Sequence, residues 1–182
     1  LRRRAANKFP RANEMFLTSD GLQQATRPQV AAWRAGLFAE EGLEEVWDLG
    51  CGLGADAMAL QERGIDVQGV EADATTAAFA STNLELVRGA PVLHARAEDV
   101  DPPPGAGVFL DPARRTAGGR TWDVADFSPG WGLVESYLEG PRPCCVKLGP
   151  GLPKNLIPDS VHASWVSVAG DVVEASLWNW FE

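Results

Sequence analysis

The stretch that decides the fold is Glu45-Val46-Trp47-Asp48-Leu49-Gly50-Cys51-Gly52-Leu53-Gly54. A short strand, Glu45 to Leu49, carries an acid next to its end, passes through three alternate glycines and enters a helical pattern that runs to Arg63 and stops at Gly64. Glycines at such a turn tolerate positive φ and leave the backbone open to close approach by a ligand. A strand that runs through glycines into a helix is the first half of a crossover unit, and ligands of such sheets sit at the carboxyl ends of the strands.

Outward from this point the pattern keeps alternating. A helix is predicted over residues 28–41, with Pro28 in its first turn, Val30, Trp33, Leu37 and Phe38 on one face, and Gly42 as its stop. Ile65 to Val70 reads as the second strand, ending in Glu71-Ala72-Asp73, and a helix over 74–88 stops at Gly89. Val92 to Ala95 reads as the third strand, leading to Ala97-Glu98-Asp99; the proline-rich run from Asp101 to Gly105 is a loop. Val108-Phe109-Leu110 is the fourth strand, emptying into Asp111-Pro112-Ala113-Arg114-Arg115. Ser128-Pro129 reads as the cap and first turn of a helix to Leu138, and Cys144 to Leu148 as the fifth strand. Trp165 to Ala169 and Val172 to Leu177 flank Gly170-Asp171, a two-residue hairpin signal. The expected organisation is a helical segment over 1–42 packed on a core domain over 43–182.

Composition bounds the function. At 182 residues the chain buries roughly 70% of its unfolded surface, enough for a core without staples. Hydrophobic residues at 45% and charged residues at 23% are globular values, and no apolar run approaches the roughly 18 residues of a membrane span. Three cysteines, two of them adjacent, and two distant histidines give neither a disulfide framework nor a metal-ligand spacing. No metal site and a reducing, cytoplasmic setting are therefore expected. Residues 1–35 hold seven Arg/Lys against two acids and residues 36–182 hold nine against twenty-three, so a basic opening precedes an acidic body. The acidic body repels phosphate, which leaves Arg2-Arg3-Arg4 with Lys8 and Arg11 as the candidate phosphate-contacting arm. Beginning at Leu1 and closing on the apolar Trp178-Asn179-Trp180-Phe181 just before Glu182, the chain reads as a piece of a longer protein.

The segment Asp48 to Gly54 closely resembles the first motif of S-adenosylmethionine-dependent methyltransferases. With Ala55 it also satisfies the G-x-G-x-x-A dinucleotide pattern, so the other strand ends have to separate the two. Glu71 suits the ribose of either cofactor. Ala97-Glu98-Asp99 resembles the methyltransferase segment that recognises the adenine amine, and five parallel strands closed by an antiparallel pair is the class I methyltransferase pattern. The resemblance implies an α/β, Rossmann-like fold with a seven-stranded, mostly parallel sheet, and S-adenosyl-L-methionine as cofactor. It implies cofactor contacts from Thr26, Asp48, Gly50, Cys51, Gly52, Gly54, Glu71, Ala72, Ala97, Glu98, Asp99 and Asp111. Asp48 would orient the methionine ammonium.

Asp111-Pro112-Ala113-Arg114 resembles the (Asp/Asn)-Pro-Pro-aromatic motif of enzymes that methylate exocyclic amines. Asp111, Pro112 and Arg114 are the implied catalytic residues, with Ala113 replacing the second proline and Arg114 the aromatic. Arg115, Arg120 and Lys147 are the candidate substrate contacts. Asp-Pro-x-Arg also resembles uracil-5-methyltransferases, but those need a cysteine at the far end of the fifth strand. Cys144 and Cys145 begin that strand and read as packing residues. Over residues 24–178 the chain resembles bacterial class I methyltransferases with a THUMP-like domain after the catalytic one, relatives of the trimethylguanosine synthase group. The cues are Gln24 to Pro28, Trp47 to Gly54, Asp111 to Arg115 with Gly119-Arg120, and Lys147-Leu148-x-Pro150. The implied reaction is methyl transfer to a nitrogen of an RNA base, with RNA as partner. A small-molecule methyltransferase and a non-catalytic cofactor-binding scaffold are the alternatives.

Overall fold

The computed structural model describes residues 1–114 and 122–181. The chain divides into two compact units, Leu1–Gly107 and Val108–Glu182. One seven-stranded sheet runs through the fold.

In the first unit, α1 (Arg2–Ala5), α2 (Ser19–Gln24) and α3 (Pro28–Glu40) precede β1 (Glu45–Leu49). Then come α4 (Ala55–Glu62), β2 (Asp66–Glu71), α5 (Ala74–Glu85), the two-residue β3 (Leu93–His94) and β4 (Gly107–Leu110), which begins at the unit's last residue. β1 pairs parallel with β2, from Glu45 opposite Asp66 to Leu49 opposite Val70, and β2 pairs parallel with β3. The inward residues Val46, Leu49, Val67 and Val70 are buried, as are Phe38, Leu60 and Leu84 from the helices that cover them. α3 differs from its expected face. Trp33 is exposed, and Arg34 is buried beside Val30, Ala31, Ala35 and Phe38. The cause is a buried ion pair from Arg34 Nη1 to Asp56 Oδ1 in the first turn of α4, which a reading of apolar periodicity does not register.

The segment before α3 packs on this unit through Ala5, Phe9, Ala12, Met15 and Leu22, which meet Ala55, Met58 and Leu86. Two of the five basic residues of the opening are engaged there. Lys8 Nζ donates to Leu22 O, and Arg11 donates to Leu86 O at 2.7 Å and pairs with Glu14. Arg2, Arg3 and Arg4 are exposed. Asn83, fully buried on α5, closes the arrangement: its Oδ1 accepts from Phe16 N at 2.7 Å, and its Nδ2 donates to Phe16 O and Leu53 O at 3.0 Å.

The second unit adds β5 (Ala113–Arg114), β6 (Phe127–Ser128), α6 (Trp131–Leu138), β7 (Cys144–Leu148), β8 (His162–Val168) and β9 (Asp171–Trp178). β4 pairs parallel with β7; β9 runs antiparallel between β7 and β8. The order of the large sheet is β3-β2-β1-β4-β7-β9-β8, which is the expected seven strands with the last one inserted beside the fifth long strand. β5 and β6 form a separate antiparallel pair that starts directly after Asp111-Pro112. That pair overturns the expected helix start at Ser128-Pro129. Ser128 is the last residue of β6, the Ser128–Pro129 peptide is cis, and α6 begins at Trp131 with Gly130 as its cap. The β8–β9 turn also shifts by one residue, to Ala169-Gly170, whose φ angles of 54° and 90° suit a two-residue hairpin turn. Val92 and Ala95 lie outside β3, and the helix over 74–88 closes at Glu85.

Replacing Asn83 with alanine leaves the buried Leu53 carbonyl, and the partly buried Phe16 amide and carbonyl, without this partner. Unsatisfied buried groups cost about 1–3 kcal/mol each, so chemical denaturation of Asn83→Ala should show a stability loss of that order or more. An unchanged midpoint would mean that Asn83 does not hold this segment.

Candidate functional site

The loop after β1 is built from three left-handed glycines, with φ of 93° at Gly50, 55° at Gly52 and 85° at Gly54. Any other residue is strained there. A Cβ placed on Gly50 or Gly52 would meet no protein atom within 4 Å, so side chains at these positions would fill open space in front of the loop. Gly50 N and Cys51 N both donate to Val70 O, at 2.8 and 3.0 Å, and Gly54 N donates to Cys51 O before capping α4. Gly52 N donates to Glu71 Oε2 at 3.0 Å, while Asp73 N donates to the other oxygen, Oε1, at 2.9 Å. Thus one carboxylate at the end of β2 binds both the glycine loop and its own loop.

Asp48 is buried at the end of β1. Cys51 turns inward, with Sγ 3.1 Å from where a Cβ on Gly69 would stand, so Cys51 offers the open side of the loop its backbone. Burial, then the charges of Asp48 and Glu71, pushes its thiol well above the ordinary range. Asp73 caps α5 through Thr76, and those hydrogen bonds hold its carboxyl below the usual range. His94 Nε2 lies 3.2 Å from Ala72 O at the same end of the sheet. Ala97 is buried in a 3-10 turn over Ala97–Asp99; Asp99 is exposed, and Glu98 pairs with Arg96 at 3.4 Å. Thr26 is buried and donates to Asp56 Oδ2, so it sits against the first turn of α4, two residues beyond Gly54. The Thr26–Asp56–Arg34 cluster and Asn83 were missed in the sequence because neither has a motif; each is recognisable only once the helices are packed.

This chemistry fits S-adenosylmethionine better than a dinucleotide. A pyrophosphate needs backbone N–H groups aimed at it from the glycine loop. Here four of them already have acceptors, one of these a carboxylate, and Asp48 in β1 and Asp99 in the turn after β3 add carboxylates.

In the second unit, Asp111 follows β4 and its Oδ2 accepts from Lys147 Nζ of β7, an ion pair at the carboxyl ends of two parallel strands. Register accounts for it: Leu110 is opposite Val146, which brings the next residues level. Pro112 is buried, and Arg114 pairs with Phe127 in the β5–β6 ladder. Arg115 and Arg120 lie outside the described residues. Lys147 also stands opposite Ser176 of β9, whose hydroxyl donates to the buried Glu174. Cys144 and Cys145 are buried at the start of β7, and burial raises the Cys144 thiol far above its ordinary value. Among the described residues no cluster of three or more His, Cys, Asp or Glu is arranged to hold a metal ion, and no helix is long and apolar enough to cross a membrane.

No family model matches the chain. Two curated relatives from Mycobacterium tuberculosis, of strains CDC 1551 / Oshkosh and ATCC 25618 / H37Rv, are described as uncharacterized S-adenosylmethionine-dependent methyltransferases. Each is 33% identical over 195 aligned positions, covering 98% of this chain and 51% of the relative. The chain therefore spans about half the length of these relatives. Among solved structures, a putative methyltransferase from Porphyromonas gingivalis W83 superposes with a TM-score of 0.71 at 21% identity, over 98% of this chain and 47% of that one. The tRNA (m1A58) methyltransferase TrmI from Aquifex aeolicus gives 0.59 at 16%, over 85% and 69%. Magnesium protoporphyrin IX methyltransferase (ChlM) from Synechocystis PCC 6803, solved with bound SAM, gives 0.59 at 11%, over 96% and 90%. The chain has the class I methyltransferase fold and is similar along nearly its whole length to the part of these curated relatives that it spans.

All three cysteines are free and buried. A thiol reagent at neutral pH should modify none of them in the folded protein and all three after denaturation. Rapid labelling of one native thiol would reopen a cysteine nucleophile.

Proposed function

We propose that this chain is the cofactor-binding and catalytic domain of an S-adenosylmethionine-dependent methyltransferase, and that the whole protein methylates a nitrogen of an RNA base in the cytoplasm. The observation that carries the cofactor reading is the glycine loop, whose N–H groups donate to Val70 O and Glu71 at the end of β2 and to its own Cys51 O. Asp48 takes the ammonium end of the cofactor, Glu71 the ribose hydroxyls through the lone pairs its two backbone contacts leave available, and Asp99 the adenine amine. The open side of Gly50 and Gly52 admits the cofactor backbone, with Ala72 and Ala97 lining its rim and Thr26 fixing α4 behind the loop. When bound, S-adenosylmethionine supplies an electrophilic methyl group on its sulfonium.

Asp111 supports nitrogen as the acceptor atom. Lys147 anchors Oδ2, which leaves Oδ1 to accept a hydrogen bond from a substrate N–H. That bond orients the nitrogen lone pair, and Asp111 or water receives the proton released once the new N–C bond has formed. Pro112 stiffens the loop, so orientation is the main contribution. Arg114, Arg115 and Arg120 are the phosphate contacts on this reading, with the exposed Arg2, Arg3 and Arg4 as a further basic arm. RNA is favoured by Asp111-Pro112 at the end of β4, by the resemblance to THUMP-bearing enzymes and by the tRNA methyltransferase among the structural neighbours. A small-molecule acceptor is the second reading, favoured by the net charge of −9 and by an arginine where the base-stacking aromatic is expected.

Full-length protein given methyl-labelled S-adenosylmethionine with RNA and with a small-molecule extract decides between them: label in RNA supports the proposal, and label in small molecules alone overturns it. Asp111→Ala should lower turnover by at least about 100-fold while S-adenosylhomocysteine affinity stays within a few-fold. Asp111→Asn, which keeps an acceptor oxygen, should retain measurable turnover. Full activity in Asp111→Ala would remove Asp111 from the mechanism.

A further inference from the structure

The second unit carries a buried carboxylate that the proposed chemistry leaves without a role. Strand register shows where it stands. Phe109 of β4 is opposite Cys145 of β7, and Cys145 is opposite Trp178 of β9; all three are buried, so this row across the sheet is an apolar floor. Side chains alternate faces along a strand, and residues opposite one another share a face. The next row on that face is polar. Leu110 opposite Val146 brings Asp111 level with Lys147, and Lys147 stands opposite Ser176.

Glu174 lies two residues before Ser176 and on the same face, since Ser176 Oγ donates to Glu174 Oε1 at 3.0 Å. β9 runs antiparallel to β7, so Glu174 lies one step past the Leu148–Ala175 pair, toward the carboxyl end of β7. Glu174 is 3% exposed, and Ser176 is fully buried. Burying a carboxylate is costly unless a cation or hydrogen-bond donors compensate it. Lys147 is the one Lys or Arg in β4, β7, β8 and β9. As a diagonal neighbour across an antiparallel pair, it lies about 7–8 Å from Glu174 along the backbone, which a long side chain spans. The Lys147 side chain is 13% exposed, against 34% for its partner Asp111, so the ammonium meets Asp111 from the inner side.

We infer that Glu174 is a positioning residue for methyl transfer: it holds the Lys147 ammonium from within the sheet while Asp111 meets it from the open end. Ser176 fixes the Glu174 carboxylate, Glu174 fixes Lys147, and Lys147 fixes Asp111 Oδ2, which keeps Oδ1 turned to the acceptor nitrogen. Over the apolar floor each of these attractions is stronger than at the surface. The inference rests on the proposed role of Asp111. Glu174 touches neither cofactor nor acceptor and acts through Lys147.

The test uses full-length protein and has two arms. In the first, brief treatment with acetic anhydride and peptide mass spectrometry read the acetylation rate of Lys147 against that of Lys154. An ammonium held between two carboxylates reacts slowly. Glu174→Gln should therefore speed Lys147 about five- to ten-fold, the scale of a coupled charge pair, with Lys8 and Lys154 unchanged. Glu174→Asp keeps the charge but draws it back; it should give a smaller rise, and it carries the readout if the glutamine variant fails to fold. An unchanged Lys147 rate in the folded variant would overturn the inference. In the second arm, methyl label is followed into RNA and into a small-molecule extract. Glu174→Gln should lower kcat about ten-fold, with KM and S-adenosylhomocysteine affinity within a few-fold. Lys147→Met should lower kcat as well, and adding Glu174→Gln to it should cost nothing more, because both act through one ammonium. Losses that multiply would mean that Glu174 only packs the sheet, and would overturn the inference. Fast Lys147 acetylation in Glu174→Gln beside full turnover in Asp111→Ala overturns the Asp111 mechanism and keeps the pair. Unchanged acetylation beside an inactive Asp111→Ala overturns the pair alone.

Discussion

Two oxygens of one carboxylate hold the loops that follow β1 and β2. Glu71 accepts from Gly52 N on one side and Asp73 N on the other, and through them it sets the spacing of the two strand ends. A turn with three left-handed glycines has little intrinsic preference for one shape, since glycine loses more freedom on folding than any other residue. The carboxylate offsets that cost with charge-assisted hydrogen bonds, which are stronger than neutral ones. On the proposed reading it also bears on the ligand: a loop whose amides already have acceptors, one of them a carboxylate, suits a cation and hydroxyls better than a phosphate.

The rest of the first unit supports that loop from behind. Leu53 is buried against α2, so closely that a Cβ on Gly21 would stand 2.7 Å from it. Asn83 joins Leu53 to Phe16, and Thr26 and Arg34 converge on Asp56, two residues after Gly54. A buried ion pair is weak evidence for stability, because desolvation offsets the attraction. Its value here lies in geometry: Asp56 binds both the approach to α3 and α3 itself, so α4 has one position under the loop it starts from.

β1 and β7 were legible to the residue, because each is a short run of apolar and β-forming residues bounded by strong breakers. The glycine loop and the acids at the strand ends were legible for the same local reason. Trp33 and Arg34 exchanged places relative to their hydropathy, since an ion pair across two helices is invisible to periodicity. Ser128-Pro129 carried a sound helix-start signature, but pairing with a strand earlier in the chain took precedence over it. The Lys147–Asp111 pair was half legible: both residues were singled out, and only the register of β4 on β7 makes them partners.

The account depends most directly on the identity of the ligand in the glycine loop. Calorimetric titration of the full-length protein with S-adenosylhomocysteine and, separately, with NADH tests it. The account predicts one-to-one binding of S-adenosylhomocysteine, weakened in Glu71→Ala, and no binding of NADH. Binding of NADH, or of neither ligand by a folded protein, would contradict it.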